Sequence, residues 1–281
     1  MKRPFLQASS LKPLCRSPNR VIDTHCHLNT EPLWFERDLW RACLETLTRV
    51  VVVGFDRVSS ERAMVLASQY DAVYAAIGFH PDASMDYTEQ DAAWLRDAVS
   101  SPHVVAVGEI GIDLFRRHDT LAVQIDVMCD QQLVARAANK PIIYHCRSTV
   151  DTYNAYDVLL PQITTTAADI PAVVHCFGGT KEHALALWNN GFYTGFDGPI
   201  TYKKNQPLRE IAAACPEQLF LAETDAPYLS PEPLRGKFPN LPSRVQIILD
   251  HLADVRGLTR EQCTAQADAN ALRLFAGMAP R

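Results

Sequence analysis

Apolar and polar residues alternate in blocks along the chain from Val21 onward. Short apolar runs predict β-strands, and the longer stretches between them place apolar residues at helical spacing. The predicted strands are Val21–Thr24, Val50–Val53, Val73–Ile77, Val104–Val107, Pro141–Tyr144, Ala172–Val174, Phe192–Phe196 and Leu219–Ala222. Several of them are apolar on both faces, which is typical of parallel strands covered by helices.

The stretches between the strands carry signals for the starts of helices. Thr88 with Asp91, and Thr259 with Gln262, resemble capping boxes, in which two side chains bond to each other's backbone N–H groups. Thr180 predicts the start of another helix. The chain therefore alternates strand and helix, which is the pattern of an α/β protein with a parallel sheet.

About eight such repeats, each with room for a helix and two loops, predict a single (β/α)₈ TIM-type barrel. The barrel domain is expected to cover residues 21–281. An open doubly wound sheet is the alternative, but no GxGxxG fingerprint follows an early strand. In a TIM-type barrel the active site lies at the C-terminal face of the strands.

Composition restricts the class of protein without identifying a substrate. Of the 281 residues, 47% are hydrophobic and 21% are charged, as in ordinary globular proteins. The formal net charge of -5 creates no global basic field, so a polyanionic substrate would need local positive charge or metal ions. No apolar run approaches the length of a membrane span, and the 8 cysteines form no CxxC pair. These features predict a cytoplasmic protein with no membrane partner; its oligomeric state stays open, and a monomer is compatible.

Residues 1–20 differ from the rest of the chain. They contain several basic residues and no acidic one. They also lack the continuous apolar stretch of a secretory signal. A disordered basic tail is predicted, and an organelle transit peptide is the alternative.

Ionisable residues follow most of the predicted strands. They are His25 and His27 after the first strand, His80 after the third, Glu109 after the fourth, His145 after the fifth, His175 after the sixth and Asp225 after the eighth. Because the C-terminal ends of barrel strands converge, these side chains are expected to meet in one place. Imidazoles and carboxylates are ligands of divalent metal ions, so the sequence predicts a metal centre there.

The spacing of His25 and His27 agrees with a metal site. Residues two apart in a strand point the same way, so both imidazoles can bind one ion. A single such pair is more typical of ordinary surface or core histidines. The shared position of all the ionisable residues favours metal binding.

Glu109 and Asp225 have structural alternatives. Glu109 lies between glycines, which favour a tight turn beside a ligand, and its two oxygens can bridge two ions. It could equally be a structural anion paired with an arginine. Asp225 is predicted to be a metal ligand and a base towards a metal-bound water. Its alternative is a turn cap before Pro227.

Two further residues are predicted to contact a phosphate. Arg147 lies two residues after His145, and a guanidinium can bind phosphate through two parallel hydrogen bonds. Its alternative is a salt bridge across the rim of the site. His80 is either a second phosphate donor or a turn histidine. The basic residues Lys203, Lys204 and Arg209 are interpreted as solvated surface rather than a strand-binding groove.

The chain shows no sign of nucleophilic catalysis by serine or cysteine. The G-x-S-x-G motif is absent. Cys26, Cys146 and Cys176 each follow a histidine, but strand alternation is expected to turn them away from it. They are interpreted as inert packing residues.

The sequence resembles the TatD family of metal-dependent deoxyribonucleases, within the amidohydrolase-like metal-dependent hydrolases. The matching segments run in family order from Ile22 almost to the end of the chain. They are Ile22–Leu28, Gly78–Pro81, Val107–Asp113, Pro141–Arg147, Val174–Gly179, Glu223–Leu229, Arg235–Gly236 with Asn240–Pro242, and Asn270–Phe275.

The resemblance implies a TIM-type barrel with two divalent ions, of which Mg²⁺, Mn²⁺ and Zn²⁺ are the candidates. It implies that one ion is held by His25, His27 and Asp225, that the other is held by His145 and His175, that Glu109 bridges them, and that His80 and Arg147 face the scissile phosphate. The implied reaction is hydrolysis of DNA phosphodiester bonds by a metal-activated water. The implied mode is 3′–5′ exonuclease action on single strands, with nucleic acid as the substrate and a role in DNA repair.

Two other functions are weighed against this one. A related barrel hydrolase of amides, lactones or other phosphoesters often uses a carbamylated lysine as the metal bridge, but Glu109 occupies that place. A barrel retained only for protein interactions would be expected to lose some ligands, and the set is intact. The chain departs from the family pattern at Asn29, where an acid is usual, and at Asp197, where relatives often have a small residue.

Overall fold

The computed structural model describes residues 20–116, 120–150, 152 and 154–278. These residues form a ring of eight parallel strands in sequence order, β1-β2-β3-β4-β5-β6-β7-β8. The strands are β1 Val21–Cys26, β2 Leu47–Val53, β3 Val73–Ile77, β4 Val104–Asp113, β5 Ile142–Arg147, β6 Ala172–Val174, β7 Tyr193–Phe196 and β8 Phe220–Ala222. The predicted strands β3 and β6 are confirmed to the residue.

Backbone hydrogen bonds join the two ends of this sheet. Cys26 forms a parallel bridge with Ala226, just beyond β8. The Asp225 N–H donates to the His25 carbonyl at 2.9 Å, and the His27 N–H donates to the Ala226 carbonyl at 2.6 Å. The ring is therefore closed at its C-terminal end, and the predicted (β/α)₈ barrel is confirmed.

Helices follow the strands and cover the outside of the barrel. They are α1 Asp38–Arg41, α2 Arg57–Gln69, α3 Glu89–Ala98, α4 Leu121–Ala138, α5 Asn154–Thr166, α6 Lys181–Asn189, α7 Gln206–Ala214, α8 Val245–Arg256 and α9 Arg260–Leu274. The predicted capping boxes at Thr88 and Thr259 are confirmed, as is the N-cap at Thr180. None of the helices in the described ranges is long and apolar enough to cross a membrane.

Three strands extend further than the apolar pattern indicated. His25 lies within β1, Glu109 within β4, and His145 and Arg147 within β5, rather than after these strands. The backbone pairing of β4 with β5 continues past the apolar residues, since Gly111 is paired with His145 and β4 ends opposite Arg147. Polar side chains ended the apolar runs, but pairing of the backbone does not depend on side-chain polarity.

The glycines beside Glu109 do not form the tight turn that the sequence suggested. Gly108 and Gly111 lie inside β4 and approach the backbone of β5. A Cβ atom on Gly111 would stand 2.1 Å from the carbonyl oxygen of His145. Glycine is needed here because the two strands that carry Glu109 and His145 are too close for a side chain.

The predicted basic tail falls outside the described residues, apart from Arg20. Arg20 Nε donates to the Glu45 carbonyl at 3.1 Å, next to the start of the barrel. The predicted domain over 21–281 contains the whole ring of strands, and residues 279–281 also lie outside the described part.

Candidate active site

The fold brings the predicted metal ligands together at the C-terminal end of the barrel. Their atoms form three groups, within each of which all donor atoms lie within 4.8 Å of one another. The groups are His25, His27 and Asp225; His25, Glu109 and His175; and His80, Glu109 and His145. All of these residues except the fully buried His25 line a cavity of about 810 Å³. The ionisable residues that the sequence singled out are therefore neighbours.

The first group joins β1 to the segment after β8. His27 Nε2 lies 3.2 Å from Asp225 Oδ1, and His25 Nε2 lies 3.7 Å from the same oxygen. His27 Nδ1 donates to the Val53 carbonyl at 2.9 Å, which leaves its Nε2 lone pair directed at the group. Asp225 has a backbone φ of 53°, in the left-handed region that non-glycine residues rarely adopt. Such strained residues are concentrated at functional sites.

Charge favours an ionised carboxylate at Asp225. Burial alone would raise its pKa, but the hydrogen bond with His27 and the surrounding imidazoles lower it overall. Burial also lowers the pKa of His25 to about 4, with a further contribution from His175. A neutral imidazole next to an ionised carboxylate is the state in which both groups can bind a cation.

Glu109 lies at the centre of the cluster. Its Oε1 is 2.6 Å from His175 Nε2 and 2.7 Å from His145 Nδ1. Its Oε2 is 3.6 Å from His25 Nε2 and 3.7 Å from His27 Nε2. Burial opposes ionisation, but these imidazoles hold the pKa of Glu109 well below its usual range. Each oxygen therefore faces a different pair of histidines, which is the arrangement that a bridging ligand requires.

His145 stands between two carboxylates. Its Nδ1 faces Glu109, and its Nε2 lies 3.1 Å from Asp113 Oδ2. Burial disfavours the charged ring, but the hydrogen bonds with Asp113 and Glu109 outweigh it and raise the pKa of His145 to about 9. Asp113 thus orients the ring, in the way that carboxylates support metal-bound histidines.

His80 belongs to the third group but also makes a local hydrogen bond. The Asp82 N–H donates to its Nδ1 at 3.0 Å, and its Nε2 lies 3.8 Å from Glu109 Oε1. Burial and the neighbouring His145 hold its pKa well below the usual value. A neutral ring that accepts at Nδ1 carries its proton on Nε2, the atom that faces Glu109.

Asp113 and Tyr228 were not selected from the sequence. The signal for Asp113 was present, because it lies four residues after Glu109 in one strand and so shares its face. Tyr228 is 46% exposed, and its ring centroid lies 6.0 Å from that of His27. Only the fold shows that this tyrosine is at the mouth of the cavity.

Buried acids support the backbone that carries the ligands. Asp23 accepts the His25 N–H at 3.3 Å, the Thr224 N–H at 3.0 Å and the Thr224 hydroxyl at 2.6 Å. Glu223 accepts the Cys176 N–H at 2.6 Å. Burial raises the pKa of Asp23 to about 7 and that of Glu223 to about 8. These acids tie the end of β1 and the start of the loop after β6 to the segment after β8.

The donor set is suited to divalent metal ions. Zn²⁺ and Mn²⁺ are bound by imidazole nitrogens and carboxylates. Although burial disfavours the charged rings, the neighbouring carboxylates raise the pKa of His27, His145 and His175, so a bound ion would displace protons from these rings. His25 Nε2 and His27 Nε2 lie only 3.2 Å apart, with Asp225 and Glu109 on either side. Two nitrogens at this distance can share one cation, and the carboxylates supply the opposite charge.

Comparison with known proteins then decides the family. A family model described as TatD related DNase matches residues 22–276. The chain belongs to this TatD family. The match includes every predicted ligand, from His25 to Asp225, so the resemblance noted in the sequence is confirmed.

Relatives of this TatD-family protein match over almost their whole length. The chain is 37% identical to the uncharacterized metal-dependent hydrolase YabD of Bacillus subtilis, covering 91% of this chain and 98% of the relative. It is 31% identical to the 3′-5′ ssDNA/RNA exonuclease TatD of Escherichia coli, with coverage of 91% and 98%. The crystal structure of YjjV, a TatD homologue from Escherichia coli, superposes with a TM-score of 0.84 at 28% identity, covering 92% and 98%. The protein is a metal-dependent hydrolase that acts on ester bonds.

Asn29 is one of the two residues at which the sequence was expected to depart from the TatD pattern. The residue is fully buried. Its Nδ2 donates to the Val53 and Ser59 carbonyls, at 2.9 Å in each case. The Val53 carbonyl is also the acceptor for His27 Nδ1. Asn29 and His27 therefore share one anchor at the end of β2.

We expect Asn29→Ala to lower the free energy of unfolding by about 2–3 kcal/mol, because two buried carbonyls lose a donor. The melting temperature measures this effect. Asn190→Ala is the matched control, since the exposed Asn190 amide donates to the Ala186 carbonyl of the preceding helix, at 2.8 Å. Equal melting temperatures for the two variants would show that the Asn29 amide does not hold this part of the TatD barrel together.

Asp197 is the other residue at which a departure from the TatD pattern was expected. It is buried next to the Cys176 thiol, and burial together with the charge of Asp225 raises its pKa to about 8. Burial also raises the pKa of the Cys26, Cys146 and Cys176 thiols well above the usual range, although Cys146 and Cys176 border the cavity. Protonated thiols are poor nucleophiles, so the expected inertness of these cysteines stays a prediction.

The structure agrees with the interpretation of the basic residues after β7 as solvated surface of this TatD-family chain. Lys203 and Lys204 are exposed. Arg209 donates to the carbonyls of Ile200 and Tyr202, at 3.2 and 2.8 Å, and so supports its own loop. Arg147 differs from them, because it borders the cavity and its guanidinium lies over the ring of Phe115.

Proposed function

We propose that this protein is a nuclease that hydrolyses phosphodiester bonds of DNA and releases nucleotides from the 3′ end of single strands. The observation that carries the proposal is the cluster of histidines and carboxylates on a cavity that is also bordered by Arg147. The relative named as a 3′-5′ ssDNA/RNA exonuclease supports the same reaction. A cytoplasmic location and a monomer are parts of this proposal.

The proposed site holds two divalent ions, with Mg²⁺, Mn²⁺ and Zn²⁺ as candidates. His25, His27 and Asp225 would bind one, His145 and His175 the other, and Glu109 both. When bound, such ions lower the pKa of water and offset negative charge on phosphate oxygens. The described ligand atoms supply three compact groups for this purpose.

Three side chains have proposed roles in the hydrolysis itself. Asp225, whose pKa is lowered overall by His27 and its other neighbours, accepts the proton of the attacking water. Arg147 offsets charge on the non-bridging oxygens through its N–H groups. His80 donates from Nε2 to a phosphate oxygen, because its Nδ1 already accepts the Asp82 N–H.

The test is release of nucleotides from single-stranded DNA labelled at either end, with Mn²⁺ or Mg²⁺ and then with EDTA. The proposal predicts metal-dependent shortening from the 3′ end and loss of activity on chelation. Amide, lactone and phosphotriester substrates at the same enzyme concentration provide the comparison. Faster turnover of any of these than of DNA would overturn the nuclease assignment.

A further inference from the structure

Arg147 lines the cavity two residues after the predicted metal ligand His145, and its guanidinium packs on the ring of Phe115. Phe115 follows the end of β4 by two residues, and Arg147 is the last residue of β5. The Leu114 N–H donates to the Arg147 carbonyl at 2.8 Å, which joins the two segments. Arg147 lies two residues after His145, so it shares that face of β5. The pair therefore lies beside the metal cluster rather than on a distant surface.

The aromatic ring is exposed although its position is fixed. Phe115 is 46% exposed, and the guanidinium carbon of Arg147 lies 4.1 Å from its ring centroid. Asp113 Oδ1 accepts the N–H groups of Phe115 at 2.9 Å and of Arg116 at 2.8 Å. These bonds tie the turn to the end of β4. Phe115 therefore supports the guanidinium of Arg147 beside the cavity, so that the other face of the guanidinium is preorganised for a flat ligand.

Arg147 rests on an aromatic ring rather than on an acid within the described part of the chain. In the described ranges no carboxylate lies within ion-pair distance of its guanidinium, which rests on Phe115 instead. The neighbouring Arg116 differs, because it is paired with Asp82 at 2.6 Å. A guanidinium that stacks through its flat face keeps its N–H edge free for phosphate oxygens. Arg147 can thus offer a flat face for stacking and charged N–H groups for a phosphate at the same time.

We propose that Arg147 and Phe115 form a stacking platform for a nucleobase of the substrate. The base next to the cleaved phosphodiester lies against the outer face of the Arg147 guanidinium, and Phe115 supports that guanidinium from behind. The inference rests on the proposed nuclease function and specifies its substrate. A base inside a duplex is covered on both faces, so this platform selects a strand whose base is unpaired.

Stacking and phosphate binding make different demands on the substrate. Stacking needs a planar aromatic base, whereas a phosphate contact is indifferent to the base. Dihydrothymine keeps the hydrogen-bonding groups of thymine but is neither planar nor aromatic. Stacking of one base on an aromatic or guanidinium plane changes affinity by about tenfold. A thymine-to-dihydrothymine exchange therefore isolates the platform.

The experiment measures the affinity of the metal-free protein for a short fluorescent oligothymidylate in EDTA at low ionic strength. A second oligonucleotide carries dihydrothymine at its 3′-terminal positions. The wild-type protein is expected to prefer thymine by about tenfold. Phe115→Tyr should retain this preference, since it keeps the ring. Phe115→Leu and Arg147→Lys should reduce it to about twofold or less, because each removes one plane of the platform.

The control is Leu133→Ala, which removes an exposed apolar side chain from α4, on the outside of the barrel, and should retain the wild-type preference. The ratio of kcat/KM for the two oligonucleotides with Mn²⁺ gives a second measurement of the preference. Cleavage by the wild type without a thymine preference, or an unchanged preference in Phe115→Leu, would overturn the platform alone. Neither binding nor cleavage of the thymine oligonucleotide by the wild type would overturn the nuclease function and the platform together.

Discussion

Replacing Asp225 by asparagine is expected to lower metal-dependent hydrolysis of single-stranded DNA by at least about a thousandfold. The substitution keeps the size of the side chain but removes its negative charge and its ability to accept a proton. In the structure this carboxylate lies 3.2 Å from His27 Nε2 and 3.7 Å from His25 Nε2. The variant therefore loses a metal ligand and the proposed base in one step.

The measurement is the initial rate of nucleotide release with saturating Mn²⁺, compared between Asp225→Asn, the wild type and Asp254→Asn. Asp254 is an exposed residue of α8, so its substitution should leave the rate unchanged. The melting temperature of each metal-free protein checks that all of them are folded. Equal activity in Asp225→Asn and the wild type would contradict the assignment of Asp225 and of the mechanism built on it.

The barrel and the position of its ligands could be predicted from the sequence because both depend on short-range patterns. Apolar runs such as Val73–Ile77 define strands, and helix caps such as Thr88 define what lies between them. Once eight parallel strands are recognised, the C-terminal ends must converge. His25 and Asp225 are thereby brought together although the chain between them spans most of the protein.

The contacts that were not predicted from the sequence depend on the register of the strands and on the packing of loops against them. The contact of Asp113 with His145 requires β4 to continue past Glu109 and to pair with β5, and the apolar pattern ended at Val107. The stack of Arg147 on Phe115 requires the loop after β4 to fold back over β5. The spacing of Glu109 and Asp113 indicates only that both lie on one face of β4, and the stack of Arg147 on Phe115 has no signature in sequence spacing.

Asn29 illustrates how a departure from a family pattern is understood through its partners. Judged by residue type alone, asparagine in place of an acid suggests a change in the contacts with substrate. The structure instead shows a buried amide that donates to the Val53 and Ser59 carbonyls. Asn29 therefore affects function through His27, because both side chains donate to the Val53 carbonyl.

Replacing Glu109 by glutamine is expected to reduce hydrolysis by at least about a thousandfold and to lower the number of bound ions per chain. The amide matches the carboxylate in shape but carries no charge. It would stand among His25, His27, His145 and His175, whose nitrogens lie within 3.7 Å of the Glu109 oxygens. Because an amide nitrogen cannot be a metal ligand, one of the two bridging contacts is lost. Metal analysis after dialysis against Mn²⁺ or Zn²⁺ measures the bound ions.

The same variant should lose most of the metal-induced rise in melting temperature. A ligand that binds only the folded state stabilises it by about 4 kcal/mol at a concentration a thousand times its Kd, so a weakened site gives a smaller rise. Glu210→Gln, in exposed sequence on α7, is the matched control and should behave as the wild type. If Glu109→Gln keeps the wild-type metal content and the wild-type thermal shift, Glu109 does not bridge two ions. A loss of activity would then have to come from proton transfer or positioning of the histidines, because the ligand set would have survived without this carboxylate.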